Sequence, residues 1–117
     1  PDDDEFARWG EHAVAGSWGS EVVEELAPSE SDHVLEKTRY SAWYKTGLDD
    51  LLAKKLGIRR VVITGTVTNI CVMVSAIEAL MRGYDVTVPR SAVKGLDEED
   101  GNRALDQLQR VFGARVV

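Results

Sequence analysis

Several residue types are scarce in this 117-residue chain: it has one cysteine, two histidines and three prolines. A lone thiol, Cys71, closes no internal disulfide, which fits a reducing compartment and leaves its sulfur free for another role. Neither His12 nor His33 has a second histidine or a cysteine at ligand spacing, so the residues themselves imply no metal and no other cofactor. No apolar run approaches the roughly 20 residues of a membrane-spanning helix. The opening PDDDE is the reverse of a basic, apolar leader peptide. Basic residues are outnumbered by acidic ones, 14 to 20, and the net charge of −6 disfavours nucleic acid and anionic lipid as partners. No G-x-G-x-x-G or P-loop follows any apolar run, which ranks nucleotide binding low. A soluble, cytoplasmic protein is the expectation. With no repeat, low-complexity tract or Gly/Ser linker, residues 1–117 are expected to form a single domain.

What is present suits a globular α/β domain, with 44% hydrophobic and 29% charged residues. Over residues 47–56, Leu48, Leu51, Leu52 and Leu56 recur at helical spacing, opposite Asp49, Asp50, Lys54 and Lys55. Residues 61–64, VVIT, form a short β-branched run without alternation, the pattern of a strand covered on both faces. A second helix is expected from Thr68 or Asn69 to Arg82, a strand over 85–88, a third helix over 97–112 and a last strand over 114–117. The acidic residues 97–100 suit that helix's start, where the dipole favours negative charge. The order β, α, β, α, β implies right-handed crossovers and a parallel sheet between helices. Residues 33–36 are expected as a further strand. The stretch before His33, with glycines at 10, 16 and 19, is expected to be a long structured loop with short elements.

Cys71 draws attention by its place. It falls in the first turn of the second helix, just beyond the strand run that ends at Gly65. In open α/β sheets ligands bind in the crevice past the carboxyl ends of strands, and a helix N-terminus there favours an anion. A buried, inert cysteine is the competing reading. The polar exceptions in that helix, Ser75, Glu78 and Arg82, lie on one stripe that runs back to Cys71.

Three motifs in order carry a resemblance: EKTRYSAW at 36–43, GTVTNICV at 65–72 and RGYDV at 82–86. The chain resembles the isochorismatase-like cysteine hydrolases, which include nicotinamidases and N-carbamoylsarcosine amidases. The resemblance implies a three-layer α/β/α sandwich with a mainly parallel, Rossmann-like sheet. It implies Cys71 as nucleophile, Lys37 as its catalytic lysine and a cis peptide between Thr66 and Val67. The backbone N–H groups of Val67 and Cys71 would then form an oxyanion hole. Trp18 and Trp43 are candidates for a pocket wall, with core packing or a subunit contact as the other reading. His12 matches the last histidine of the nicotinamidase metal site, a weak candidate, since a divalent metal would require ligands upstream. The family's third catalytic residue, an aspartate in an apolar-D-x-Q segment on the first strand, has no counterpart here. The chain is therefore expected to be the C-terminal portion of the domain, N-terminally incomplete, with little turnover from these residues alone. The implied function is hydrolysis of a C–N bond in a small amide through a cysteine acyl-enzyme, by a homo-oligomer. The alternative is a non-catalytic α/β module that completes its sheet with another segment or chain.

Overall fold

The computed structural model describes residues 4–117, which fall into two compact units divided between Val34 and Leu35. The first unit contains helix α1, Asp4–Trp9, and two 3-10 turns, Trp18–Ser20 and Glu24–Leu26. Local bonds hold it: Ser17 Oγ donates to the carbonyl of Val14 and Ser20 Oγ to that of Ser17, while Asp32 accepts from the Ser29 amide and hydroxyl. A loop with short elements is what its glycine-interrupted sequence predicts.

The second unit is α/β. Its strands are β1, Arg60–Val62, β2, Gly65–Thr66, β3, Asp85–Val88, β4, Val93–Lys94, and β5, Arg115–Val116. They form a three-stranded parallel sheet in the order β1-β3-β5 and a two-stranded parallel sheet of β2 and β4. The register pairs Val61 with Val86 and Val88 with Val116. Val86 and Val88 are buried, while the alternate residues Asp85 and Arg115 are exposed, so one sheet face takes the core.

The 61–64 run splits at Ile63 and Thr64, and Gly65, at φ +122, starts β2. A π-helical turn, Thr68–Val72, then runs directly into α2, Met73–Met81. Ala76 and Ala79 of α2 are fully buried, in step with Val72, and pack with Val86, Val88 and Tyr84. Helix α3, Glu98–Arg110, opens on Asp97, whose side chain accepts from the Asp100 amide, and buries Gly101, Ala104, Leu105 and Leu108.

Two expectations need correction. Residues 33–36 form no strand: the stretch has two apolar side chains, Val34 and Leu35, and both stay exposed, too little burial to hold a ladder. The amphipathic stretch over 47–56 winds largely as a π-helix, Asp50–Lys55, because Leu48, Leu52 and Ala53 must all reach the same core.

Candidate active site

Cys71 is partly buried in the π-helical turn that follows β2. The turn starts after Val67, whose carbonyl accepts from the amides of Ile70 and Val72. The Thr66–Val67 peptide is cis. Thr68 is 2% exposed and packs the turn against α3, with its side chain beside Gly101. The turn that carries Cys71 thus packs against α3 and runs on into α2.

Lys37 lies on the exposed, irregular segment before Ser41. Its Nζ donates to the carbonyl of Arg39 at 2.9 Å and to Cys71 Sγ at 3.7 Å. The segment is anchored at its far end. Ser41 Oγ donates to Glu78 Oε2, the Ala42 amide donates to Ser75 Oγ at 3.0 Å, and Trp43 Nε1 donates to the Ser75 carbonyl at 2.9 Å.

Glu78 also takes Arg82, whose Nη2 stands 2.7 Å from Oε1, and its carboxyl is held below the ordinary range by the Ser41 hydroxyl first and Arg82 second. Arg82 reaches Asp49 at 3.6 Å, and Asp49 accepts from the Tyr84 hydroxyl at 2.8 Å. These groups form one connected polar network on the side of α2 that carries Cys71 at its head. The helical spacing of Ser75 and Glu78 behind Cys71 was visible in the sequence, but nothing there tied them to the Lys37 segment.

Trp43 is 6% exposed, with its ring centroid 4.9 Å from that of Tyr84 and the Arg82 guanidinium 5.5 Å above it. Its contacts are those of a core residue. Trp18, in the first unit, is 88% exposed. His12 lies in that unit too. Its Nδ1 is 2.8 Å from the Gly10 carbonyl, its Nε2 is 3.9 Å from Glu5, and Phe6 meets its ring edge-on. Among the described residues no three His, Cys, Asp or Glu side chains gather at metal-binding distance. One imidazole already engaged with a carbonyl and a single carboxylate does not make a divalent site, and no chemical step is assigned to a metal. Asn69, two residues ahead of Cys71, was not singled out from sequence; its Oδ1 is buried without a hydrogen-bond partner among the described residues.

Comparison with known proteins follows the same lines. Residues 1–117 match the isochorismatase domain. The N-carbamoylsarcosine amidase of Thermoplasma acidophilum superposes with a TM-score of 0.87 at 42% identity, over 99% of this chain and 65% of that one. A nicotinamidase/pyrazinamidase of Bacillus subtilis gives 0.87 at 29% identity, over 99% and 68%. The uncharacterized isochorismatase family protein YaaI of Bacillus subtilis (strain 168) is 35% identical over 97 residues, which are 83% of this chain and 53% of that protein. The chain thus spans about half the length of that curated relative. Its parallel α/β unit, its sequence and its match over every residue place it together with these proteins: the chain belongs to the isochorismatase family.

Proposed function

We propose that this chain carries the nucleophile of a hydrolase that cleaves a C–N bond in a small amide, through a thioester on Cys71. The observation that carries the reading is the 3.7 Å approach of Lys37 Nζ to Cys71 Sγ at the head of a helix. Two similar structures are named as amidases, an N-carbamoylsarcosine amidase and a nicotinamidase/pyrazinamidase, which supports an amide as the substrate class.

In this reading Cys71 Sγ, beside the Lys37 ammonium, attacks the carbonyl carbon. The developing oxyanion accepts hydrogen bonds from the N–H groups of Val67 and Cys71, and loss of one such donor typically costs about 10²- to 10³-fold in rate. The amine then leaves, and water releases the acid from the thioester. The proton acceptor that the resemblance implies, an aspartate in an apolar-D-x-Q segment, is not among the residues of this chain.

The test follows the sulfur. Cys71 alkylation by iodoacetamide is timed by intact mass in the wild type and in Lys37→Ala, and the same measurement seeks a covalent species on Cys71 after exposure to N-carbamoyl and pyridine carboxamides. The expected result is alkylation slowed about tenfold by the substitution, an order typical of a lost activating charge, and a covalent species on Cys71 that Cys71→Ser does not form. Equal alkylation in the two proteins, with no covalent species on Cys71 from any amide, would replace the enzyme reading with that of a non-catalytic module.

A further inference from the structure

The Lys37 ammonium must be kept near the sulfur, yet Lys37 sits on an exposed segment without regular structure. Such segments sample many conformations unless their ends are fixed. Here one end is fixed to the very helix that carries Cys71, by two side chains one and two turns behind it.

We infer that Ser75 and Glu78 are positioning residues for the Lys37–Cys71 pair, clasping residues 41–43 to α2 so that the helix bearing the nucleophile also sets the position of its lysine. The inference rests on the proposed role of that pair and adds the device that assembles it.

Each bond of the clasp has a definite direction. Ser75 Oγ accepts from the Ala42 amide, and the Ser75 carbonyl accepts from Trp43 Nε1. Glu78 Oε2 accepts from Ser41 Oγ, and that same hydroxyl oxygen accepts from the Trp43 amide at 3.1 Å. The donors of three consecutive residues are therefore engaged through one face of α2. Ser41 and Ser75 are 7% and 6% exposed, so water does not readily substitute for the bonds lost on truncation. Arg82 holds the other carboxylate oxygen of Glu78, which fixes the rotamer that presents Oε2 to Ser41. The position of Lys37 four residues before Ser41 then makes its reach to Sγ a consequence of where Ser41 is pinned. A carboxylate is suited to the task because it accepts from both sides, and its depressed pKa keeps it in the accepting form.

A role confined to fold stability would act on Cys71 without regard to Lys37. Positioning makes the two depend on each other, which a double-mutant cycle measures. The experiment times iodoacetamide alkylation of Cys71 in the full chain for wild type, Lys37→Ala, Glu78→Ala and the double variant, with Glu78→Gln and Ser75→Ala alongside. Glu78→Ala is expected to slow alkylation about three- to tenfold in the presence of Lys37 and by less than about twofold in its absence, the range expected of contacting residues. Glu78→Gln, which keeps an oxygen to accept from Ser41, is expected to restore most of the rate. Ser75→Ala should resemble Glu78→Ala, and hydrogen exchange at residues 38–43 should rise in both.

If Lys37→Ala slows alkylation but Glu78→Ala does not, or slows it equally in both backgrounds, the positioning role is overturned and the nucleophile reading stands. If Lys37→Ala leaves alkylation unchanged, the pair itself is refuted and the clasp with it. Should Glu78→Ala fail to fold, Ser75→Ala and its double variant with Lys37→Ala take its place in the cycle, and equal slowing in the two backgrounds overturns the positioning role.

Discussion

An exposed lysine whose ammonium lies 3.7 Å from a sulfur contributes a charge, and that charge acts only as long as its geometry holds. Lysine and arginine differ here in more than size. An ammonium is a compact point charge, whereas a guanidinium spreads its charge over a planar fork that would have to share the space of the Arg39 carbonyl. Lys37→Met, which keeps the stem and removes the charge, is expected to lower the rate of Cys71 acylation about 10²-fold, and Lys37→Arg to recover no more than about a tenth of the loss. Stopped-flow acylation by an activated ester checks both. Trp43 poses the contrasting case. Its sequence context allowed a pocket wall, a core position or a subunit contact, because a glycine-flanked loop can bring an aromatic near the strand ends without fixing which way it faces. The structure gives it the bond to the Ser75 carbonyl and the ring contact with Tyr84. Trp43→Phe should therefore cost about 1–3 kcal/mol in urea unfolding through the lost hydrogen bond and lost packing. Cys71 was legible from its place after a strand. The clasp was not, since Ser41 lies more than thirty residues from Ser75 and Glu78, and no periodicity spans that distance.

Among the elements, those with strong periodicity were legible and those made by tertiary pairing were not. The strand Asp85–Val88 and the helix Glu98–Arg110 follow from β-branched alternation, the Asp97 cap and the spacing of Ala104, Leu105 and Leu108. Strands β2 and β4 are two residues each and owe their existence to each other, through Gly65 opposite Val93 and Thr66 opposite Lys94. Short pairings of that kind leave no local signal. The π-helical turn at Thr68–Val72 was expected only as helix, because a single π turn at the start of a helix is set by its i→i+5 backbone bonds and not by a side-chain pattern. Two glycines near α3 show how element packing sets the outcome of a substitution. A Cβ at Gly95 would stand 2.8 Å from the Asp97 carbonyl oxygen, a backbone atom that cannot swing away. At Gly101 the nearest contacts would be 3.7 Å to the Thr68 side chain and 3.9 Å to Gly95, ordinary packing distances. Gly95→Ala is thus expected to destabilise by about 1–3 kcal/mol through overpacking, whereas Gly101→Ala is expected to stabilise by about 0.5–1 kcal/mol as a helix-interior replacement. Thermal unfolding of the two variants, which should move in opposite directions, tests how closely α3 and the Thr68–Val72 turn meet.

Across the whole molecule, charge is unevenly shared along the chain. Residues 1–34 contain ten acidic side chains and one basic one, Arg8, whereas residues 35–117 contain ten acidic and thirteen basic. Most of these charges are solvated, and exposed i,i+4 pairs such as Lys54 with Asp50 or Arg110 with Asp106 are screened by solvent and contribute little. The pH dependence of stability therefore falls to the few partly buried groups. Glu78 has its carboxyl lowered from an ordinary value of 4.5, by the Ser41 hydroxyl and then by Arg82. The folded state binds that proton less readily than the unfolded chain does. Its contribution is complete above about pH 4.5 and is lost as the pH falls through the lowered folded value. Tyr84 acts at the other limit. Burial, then its bond to Asp49, raises its phenol from an ordinary value of 10.0, so the folded state keeps the proton that the unfolded chain releases. That contribution is complete below about pH 10 and disappears as the pH climbs through the raised value. Urea unfolding followed from pH 3 to pH 11 should give a broad plateau with a decline on both sides. Glu78→Gln should flatten the acid decline and leave the alkaline one, and Tyr84→Phe should do the reverse. An acid decline unchanged by Glu78→Gln would place its origin among the solvated carboxylates instead and deny the Ser41–Glu78–Arg82 cluster its share in holding the fold together.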